Sequence, residues 1–531
     1  MTVAIDSAPI RSALDASYRR LAEANFIDAL WSRRLDIWTS DPAVQRVIAN
    51  RLGWLDAIDV VTPHLDRLRA FADDVRTSGV TDIVLLGMGG SSLAPEVLRR
   101  VVGGSADGPA FAVLDSVDPD AVSAAMARAT TTLFILASKS GTTIEPNAMA
   151  ADAERRLRDA GIDEPGSRFV AITDPDTALH RRAIEQGYRD VFVNPPDIGG
   201  RYSALSFFGM VPAALMGIDV EALLTSARAM AEKCRTADPK TNPGLMLGAA
   251  MAAGALDGRD KLTLQMPDYL QPFGLWVEQL VAESTGKHGK GVVPIVGEHA
   301  GMTRGDDRLI VTVTLPYATD LGAEFFRWEV ATAAAGWLLG INPFDEPNVK
   351  QAKDATQVLL DAFSTRGQLP APDADAVLDG SRLTLSNPAR EALNGAAADR
   401  FLDVLRAGDY LGLLLYLPPD DDRLDAGLRT FRTAVAARYR VPTMIGYGPR
   451  YLHSTGQLHK GGANNGVFVV LTAEPADDFP VPGENYSFGV LEMAQALGDF
   501  HSLEQSGRRA LHVHLPGRGI DLLQRALDRL M

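Results

Sequence analysis

The chain has 531 residues, 46% of them hydrophobic and 22% charged, which is enough apolar content for a sizeable core divided over two or more domains. A formal net charge of −15 excludes a nucleic-acid or anionic-membrane role driven by the overall field, so an anionic ligand would have to be drawn by a local basic pocket. One cysteine, Cys234, excludes an intrachain disulfide framework and fits a reducing cytoplasm. There is no leader pattern and no uncharged apolar window of about 18 residues, so neither export nor a membrane span is expected.

Spaced apolar positions in YRRLAEANFIDALWSRRLDIW and PHLDRLRAFADDV predict helices, and residues 1–75 read as an N-terminal helical arm. From residue 82 the pattern changes to short β-rich runs: DIVLLG, FAVLDS, TLFILAS, FVAITD and DVFVN. Turn chemistry follows each run and a helix candidate follows most, which predicts a parallel sheet wrapped by helices in a first α/β domain, residues 76–235. A second series (KLTLQMP, GVVPIVG, LIVTVTL) precedes the long helical stretch EFFRWEVATAAAGWLLG and resumes with YLGLLLYLP, PTMIGYG and GVFVVLT. It defines a second α/β domain, residues 236–531, with a helical insertion and a C-terminal segment. Residues 364–398, rich in Pro, Ala and Asp, are expected to form a surface excursion.

Two turns carry chemistry. In DIVLLGMGGSSLAPEV a buried strand breaks at Gly87, Gly89 and Gly90 and resumes as a helix near Ser92, a cradle of backbone N–H groups suited to phosphate. Asp115 could serve as the acidic ribose partner of a dinucleotide fingerprint, but Ser92 stands at the third glycine position, and a tight turn without ligand is the plainer alternative. The second turn, SKSGTTIEP, gathers Ser138, Lys139, Ser140, Thr142 and Thr143 around Gly141. One such hydroxyl would be read as a helix cap; five ammonium- or hydroxyl-bearing residues together read as a phosphate site. Because open parallel sheets bind ligands outside the carboxyl ends of their strands, both turns can face one crevice.

GMGGSSLAPEV, SKSGTTIEP, DIGGRYSALSFFG, EQLVAESTGKHGKG, GINPFDEPNVKQAK and YLHSTGQLHKGG resemble, in turn, the signature stretches of the glucose-6-phosphate isomerases, over about residues 20–500. The likeness is greatest to the isomerase half of proteins in which this enzyme is fused to a transaldolase. The resemblance implies two sugar-isomerase (SIS) type doubly wound parallel-sheet domains with flanking helices. It implies interconversion of glucose 6-phosphate and fructose 6-phosphate through a cis-enediol, with a sugar phosphate as the small-molecule partner, no cofactor and no metal. A cytoplasmic homodimer with a shared active site is implied too, the histidine coming from the neighbouring subunit. Carried over residue by residue, Gly90, Ser91, Ser138, Lys139, Ser140 and Thr143 hold the phosphate side and Gln279 meets sugar hydroxyls. Glu283 is the base, Arg201 the cation for the enediolate, and Lys353 and His453 open the ring.

Each role has a plainer rival. A buried carboxylate suits proton transfer between C2 and C1, whereas Glu283 could simply pair with Lys287 four residues on. Arg201 could be a surface-loop arginine, and Lys350 is the alternative to Lys353. The histidine motif departs from the family order, lying a hundred residues after Lys353 instead of before it; His459, His288 and His299 are therefore rivals to His453. His512 and His514 would share a face of a strand, but with no nearby carboxylate or cysteine they read as surface residues, not metal ligands. A dual-specificity phosphoglucose/phosphomannose isomerase is one alternative function. A non-catalytic sugar-phosphate sensor is another, but it would not need Glu283, Lys353 and a histidine.

Overall fold

The computed structural model describes residues 2–298, 302, 305–370, 372–419 and 422–531; His299 lies outside them. Five parallel strands form the first sheet, in the order Ala110–Leu114, Asp82–Gly87, Thr132–Ala137, Phe169–Thr173, Asp190–Val193. Every residue of the three inner strands is buried, which is why they read as unbroken apolar runs and not as alternating ones. Strand order reverses between Asp82–Gly87 and Thr132–Ala137. The turn after each of these strands therefore borders the crevice that such a reversal opens, and these are the glycine turn and the Ser/Thr loop.

The second half holds two separate sheets where one interrupted series was expected. In the smaller, Lys261–Gln265, Val293–Ile295 and Arg308–Thr314 run parallel, and Thr2–Ile5 pairs antiparallel with Arg308–Thr314. The expected helical arm thus begins with an edge strand before the helices Arg11–Glu23, Phe26–Trp31, Pro42–Ala49 and Leu65–Thr77. Four residues are too few to show an alternation, and such a strand exists only through its distant partner. The larger sheet has the order Ala376–Leu378, Ser381–Leu385, Arg509–Leu515, Gly466–Ala473, Tyr410–Tyr416, Thr443–Tyr447; the last four are mutually parallel and the first two join antiparallel.

Two expectations are corrected here. The supposed surface excursion supplies that antiparallel hairpin, with Ser381, Leu383, Thr384 and Leu385 buried, and a helix at Asn387–Leu393. Its two-residue turn, Asp379–Gly380, has φ +51° and +82°, so the Asp-Gly hairpin signal was present in the sequence but lost among the Pro and Ala. His512 is no surface residue either. It is buried, its Nε2 lies 2.8 Å from Thr472 Oγ1, and burial pushes its imidazole down to about 3; His514 Nδ1 approaches the same hydroxyl at 2.9 Å.

The first and larger sheets are held together by a shared helix and an ion pair. The helix Phe488–Gln505 packs Phe488, Leu491 and Ala494 with Val84, Leu86 and Phe134 of the first sheet. Its Ala496, Phe500 and Leu503 cluster with Leu414, Phe468 and Val470 of the larger one. Truncating a fully buried Phe such as Phe488 would cost about 3–5 kcal/mol. A polar clamp adds to this: Arg450 donates to both oxygens of Asp115, at 2.8 and 2.7 Å. Asp115 follows the first-sheet strand Ala110–Leu114 and Arg450 follows Thr443–Tyr447, so the clamp draws the turn carrying His453 toward the crevice. That fixed ion pair is what the structure gives Asp115 in place of a ribose contact.

Candidate active site

Glu283 lies near the C-terminal end of the helix Phe273–Thr285, whose apolar sequence lets it run buried along almost all of its length. Its Oε1 is 3.1 Å from Arg201 Nη1, and its Oε2 accepts from Gln279 Nε2 at 3.2 Å, one helical turn earlier. Burial raises the Glu283 carboxyl above the ordinary carboxylate range. Arg201 opposes that rise and Glu346 adds to it. The helix-surface pairing with Lys287 does not form. Lys287 is fully buried and donates to Asn342 O and Asp345 Oδ1 at 2.6 and 2.7 Å, and burial brings its ammonium down to about 8.

Arg201 follows Gly199 and Gly200 and is only 4% exposed, so it is no surface arginine. Nε donates to Ser284 Oγ at 2.8 Å, Nη1 to Glu346 Oε2 at 3.0 Å, and Nη2 to the carbonyls of Pro343 and Asp345 at 2.9 and 2.8 Å. The turn is glycine for a packing reason. A Cβ at Gly90 would stand 2.0 Å from Gly200 O, and one at Gly89 would stand 2.5 Å from His453 O. The glycine turn, the arginine turn and the histidine turn therefore meet backbone to backbone, and Gln279 Nε2 ties them to the base by donating to His453 O at 2.9 Å.

His453 Nε2 lies 2.8 Å from Glu145 Oε1, which also accepts from Gln495 Nε2 at 2.7 Å. Burial works to raise the Glu145 carboxyl, but His453 and Lys353 outweigh it and hold it below its usual value, so it remains a carboxylate. A cavity of about 170 Å3 opens here, lined by Thr142, Thr143, Glu145, Lys353, His453 and Gln495 among others. The rivals are placed elsewhere. Lys350 pairs with Asp354 at the surface, His288 is exposed, and His459 is buried among Tyr410, Tyr451 and Phe468, its imidazole kept neutral by burial. His453 reaches Glu145 of its own chain. The strand order of the larger sheet and the Asp115–Arg450 clamp bring the His453 turn back to the first sheet.

In the Ser/Thr loop, Ser138 Oγ is 3.2 Å from Thr143 Oγ1 and accepts from Gly141 N at 3.1 Å, while Ser140 Oγ is 2.9 Å from Thr142 Oγ1. Thr143 precedes the helix Ile144–Asp159 without capping it through its side chain, so its hydroxyl faces the loop. The Lys139 ammonium binds Asp174 and donates to Pro196 O at 2.7 Å. Ser91 is half-buried in the glycine turn beside the loop. Sequence reasoning missed Glu145, Gln495, Ser284 and Glu346. Only Glu145, the first carboxylate after the Ser/Thr loop, carried a local signal.

Residues 45–301 match the model of the phosphoglucose isomerase family, a range that includes Gly90, Ser138–Thr143, Arg201, Gln279 and Glu283. A glucose-6-phosphate isomerase of Cyanothece sp. is 30% identical over 377 residues, which cover 56% of this chain and 71% of that protein. The chain belongs to the phosphoglucose isomerase family. A second relative, the glucose-6-phosphate isomerase of Parasynechococcus marenigrum, is 28% identical over 425 residues, covering 66% of this chain and 75% of its own. In fold, a solved glucose-6-phosphate isomerase from Chlamydia trachomatis superposes with a TM-score of 0.50 at 20% identity, over 58% of this chain and 75% of that one. Lys353 and His453 lie beyond the family-model range.

Proposed function

We propose that the protein interconverts glucose 6-phosphate and fructose 6-phosphate, with Glu283 moving a proton between C2 and C1. The observation that carries this reading is the buried, elevated Glu283 carboxyl set against the Arg201 guanidinium. A base whose basicity is raised toward neutrality can both take and return a carbon-bound proton. A fixed cation beside it stabilises the negative charge that develops on O1 and O2. Gln279 orients the carboxylate and is placed to meet sugar hydroxyls.

Ring opening falls to the neighbouring cavity. With Glu145 ionised and bonded to His453 Nε2, the imidazole holds its proton on that nitrogen and offers Nδ1 as the acceptor. Lys353 on the same cavity wall is a donor. One acceptor and one donor answer the demand of ring opening, which removes a proton from the anomeric hydroxyl and returns one to the ring oxygen. Ser138, Ser140, Thr142 and Thr143, with the N–H groups at the start of Ile144–Asp159 and the turn at Gly90 and Ser91, hold the phosphate. Lys139 supports the loop through Asp174.

Any homodimer of this chain would, on this reading, carry two self-contained sites. A cytoplasmic location follows from a sugar-phosphate substrate and the single buried cysteine; among the described residues no helix is long and apolar enough to cross a membrane. A coupled assay of fructose 6-phosphate conversion by the purified protein tests the activity, with mannose 6-phosphate as a parallel substrate. Turnover of fructose 6-phosphate that Glu283→Gln abolishes is expected. Absence of turnover in the unmodified protein would overturn the reading, and equal turnover of mannose 6-phosphate would widen it to the dual-specificity enzyme.

A further inference from the structure

Arg201 has five N–H groups, and each has an acceptor within reach. Ser284 Oγ takes Nε, the carbonyls of Pro343 and Asp345 take Nη2, and Glu346 Oε2 and Glu283 Oε1 lie 3.0 and 3.1 Å from Nη1. A guanidinium so fully engaged cannot receive substrate oxygens unless one partner leaves. Two of the partners are backbone carbonyls, Ser284 is fully buried, and the Glu283 side chain is 10% exposed and bonded to Gln279. Glu346, with its side chain 36% exposed, sits on the segment between the helices Leu321–Leu339 and Val349–Arg366, and it alone has room to swing out.

We propose that Glu346 is a positioning residue that holds Arg201 Nη1 in place of the substrate's oxygens and releases it when they arrive. The carboxylate would thus stand in for the enediolate in the resting enzyme, keeping Arg201 aimed at the reacting atoms. Its charge has a second effect, through Glu283. The groups facing Glu283 are Arg201 and Tyr202 from the arginine turn, Lys287 beyond the end of its own helix, and Glu346; of these Glu346 is the carboxylate, and it keeps the base protonated to higher pH.

This inference rests on Arg201 and Glu283 having the roles proposed above. In Glu346→Gln, a five-carbon aldonate 5-phosphate, whose carboxylate mimics the charged end of the enediolate, is expected to bind about tenfold tighter, the equivalent of one modest charge-assisted hydrogen bond released. The acidic limb of kcat/KM is expected to move to lower pH, a change that a merely structural role would not produce. Glu346→Asp keeps the charge but withdraws it from Nη1. It is expected to give the tighter inhibitor binding with a smaller pH shift, and it serves if the Gln variant folds poorly. Unchanged or weaker inhibitor binding, or an acidic limb that stays in place, overturns the proposal. Proton exchange measured in Glu283→Gln separates the two failures. If that variant still exchanges, the reading of the base has failed; if it is dead while Glu346→Gln behaves like the unmodified protein, only the role of Glu346 has failed.

Discussion

The two ends of the site are built on opposite principles. Around Glu283 the charged groups are partnered, and Glu283, Arg201 and Lys287 are themselves buried: Arg201 is held by two carboxylates, a serine and two carbonyls, and Lys287 by the same 342–346 turn. Around His453 the charged groups border an open cavity, and the ring is fixed on one side only, through Glu145. Burial makes a strong base and a strong electrostatic clamp but leaves little freedom. An open cavity admits the sugar ring and its phosphate but shifts charges less. Dividing the chemistry this way lets one region be tuned for carbon–proton transfer while the other accepts a bulky substrate.

The largest effect should come from breaking the sealed end. Glu283→Gln is expected to lower turnover by at least about a thousandfold, with solvent deuterium no longer entering C2 of glucose 6-phosphate while a phosphorylated inhibitor still binds. Isotope incorporation followed by NMR checks this, and normal exchange would remove Glu283 from the role of base. In the unmodified protein the raised Glu283 carboxyl sets the sign of the pH dependence. The base works only when ionised, so activity falls as pH drops through its folded pKa. The acidic limb should therefore lie above the ordinary glutamate value of about 4.3; a limb at or below that value would mean the group is not desolvated in the working enzyme.

At the open end the loss should be selective. His453→Ala is expected to lower turnover of cyclic substrate roughly a hundredfold while leaving proton exchange on an open-chain analogue nearly intact. Glu145→Gln should do the same more weakly, since the imidazole survives without its fixed orientation. Equal loss with both substrates would show that the two ends do not divide the chemistry.

The smallest effects belong to the phosphate loop. Ser140→Ala and Thr143→Ala should each raise KM by about 1–2 kcal/mol of binding with kcat little changed, whereas Lys139→Ala, which loses its tie to Asp174 and Pro196, should act on loop stability first. Steady-state kinetics and thermal melting separate these outcomes. A KM effect from Lys139 alone, with the melting temperature unmoved, would return that lysine to the phosphate.

Local pattern made much of this legible, and distant pairing hid the rest. The inner strands of both parallel sheets could be read because burial on two faces leaves unbroken apolar runs, as in TLFILA and YLGLLLY. Thr2–Ile5 could not, since its partner strand is more than a hundred residues away, and the hairpin at residues 376–385, despite its local Asp-Gly turn, joins its sheet through a strand just as remote. In the candidate site, Ser138–Thr143, Gln279 and Glu283 stand in dense or apolar local context, whereas Arg201 is marked only by the family resemblance. Glu346 and Gln495 carry no such mark, because nothing in NPFDEPN or LEMAQAL says that a folded chain will turn those side chains toward Arg201 and Glu145. The order of motifs along the chain is likewise silent on which chain completes the pocket, and we propose that the same chain does.

That last point is also the central claim, that one chain builds the whole site, and co-expression of His453→Ala with Glu283→Gln tests it most directly. Each variant alone is expected to turn over cyclic substrate about a hundredfold or more slower than the unmodified protein. Since His453 and Glu283 are joined through Gln279 within one chain, mixed assemblies of the two should remain as inactive as either parent at every ratio. Recovery of a substantial fraction of activity, rising with the proportion of mixed assemblies, would show that the histidine crosses between subunits and would contradict the account.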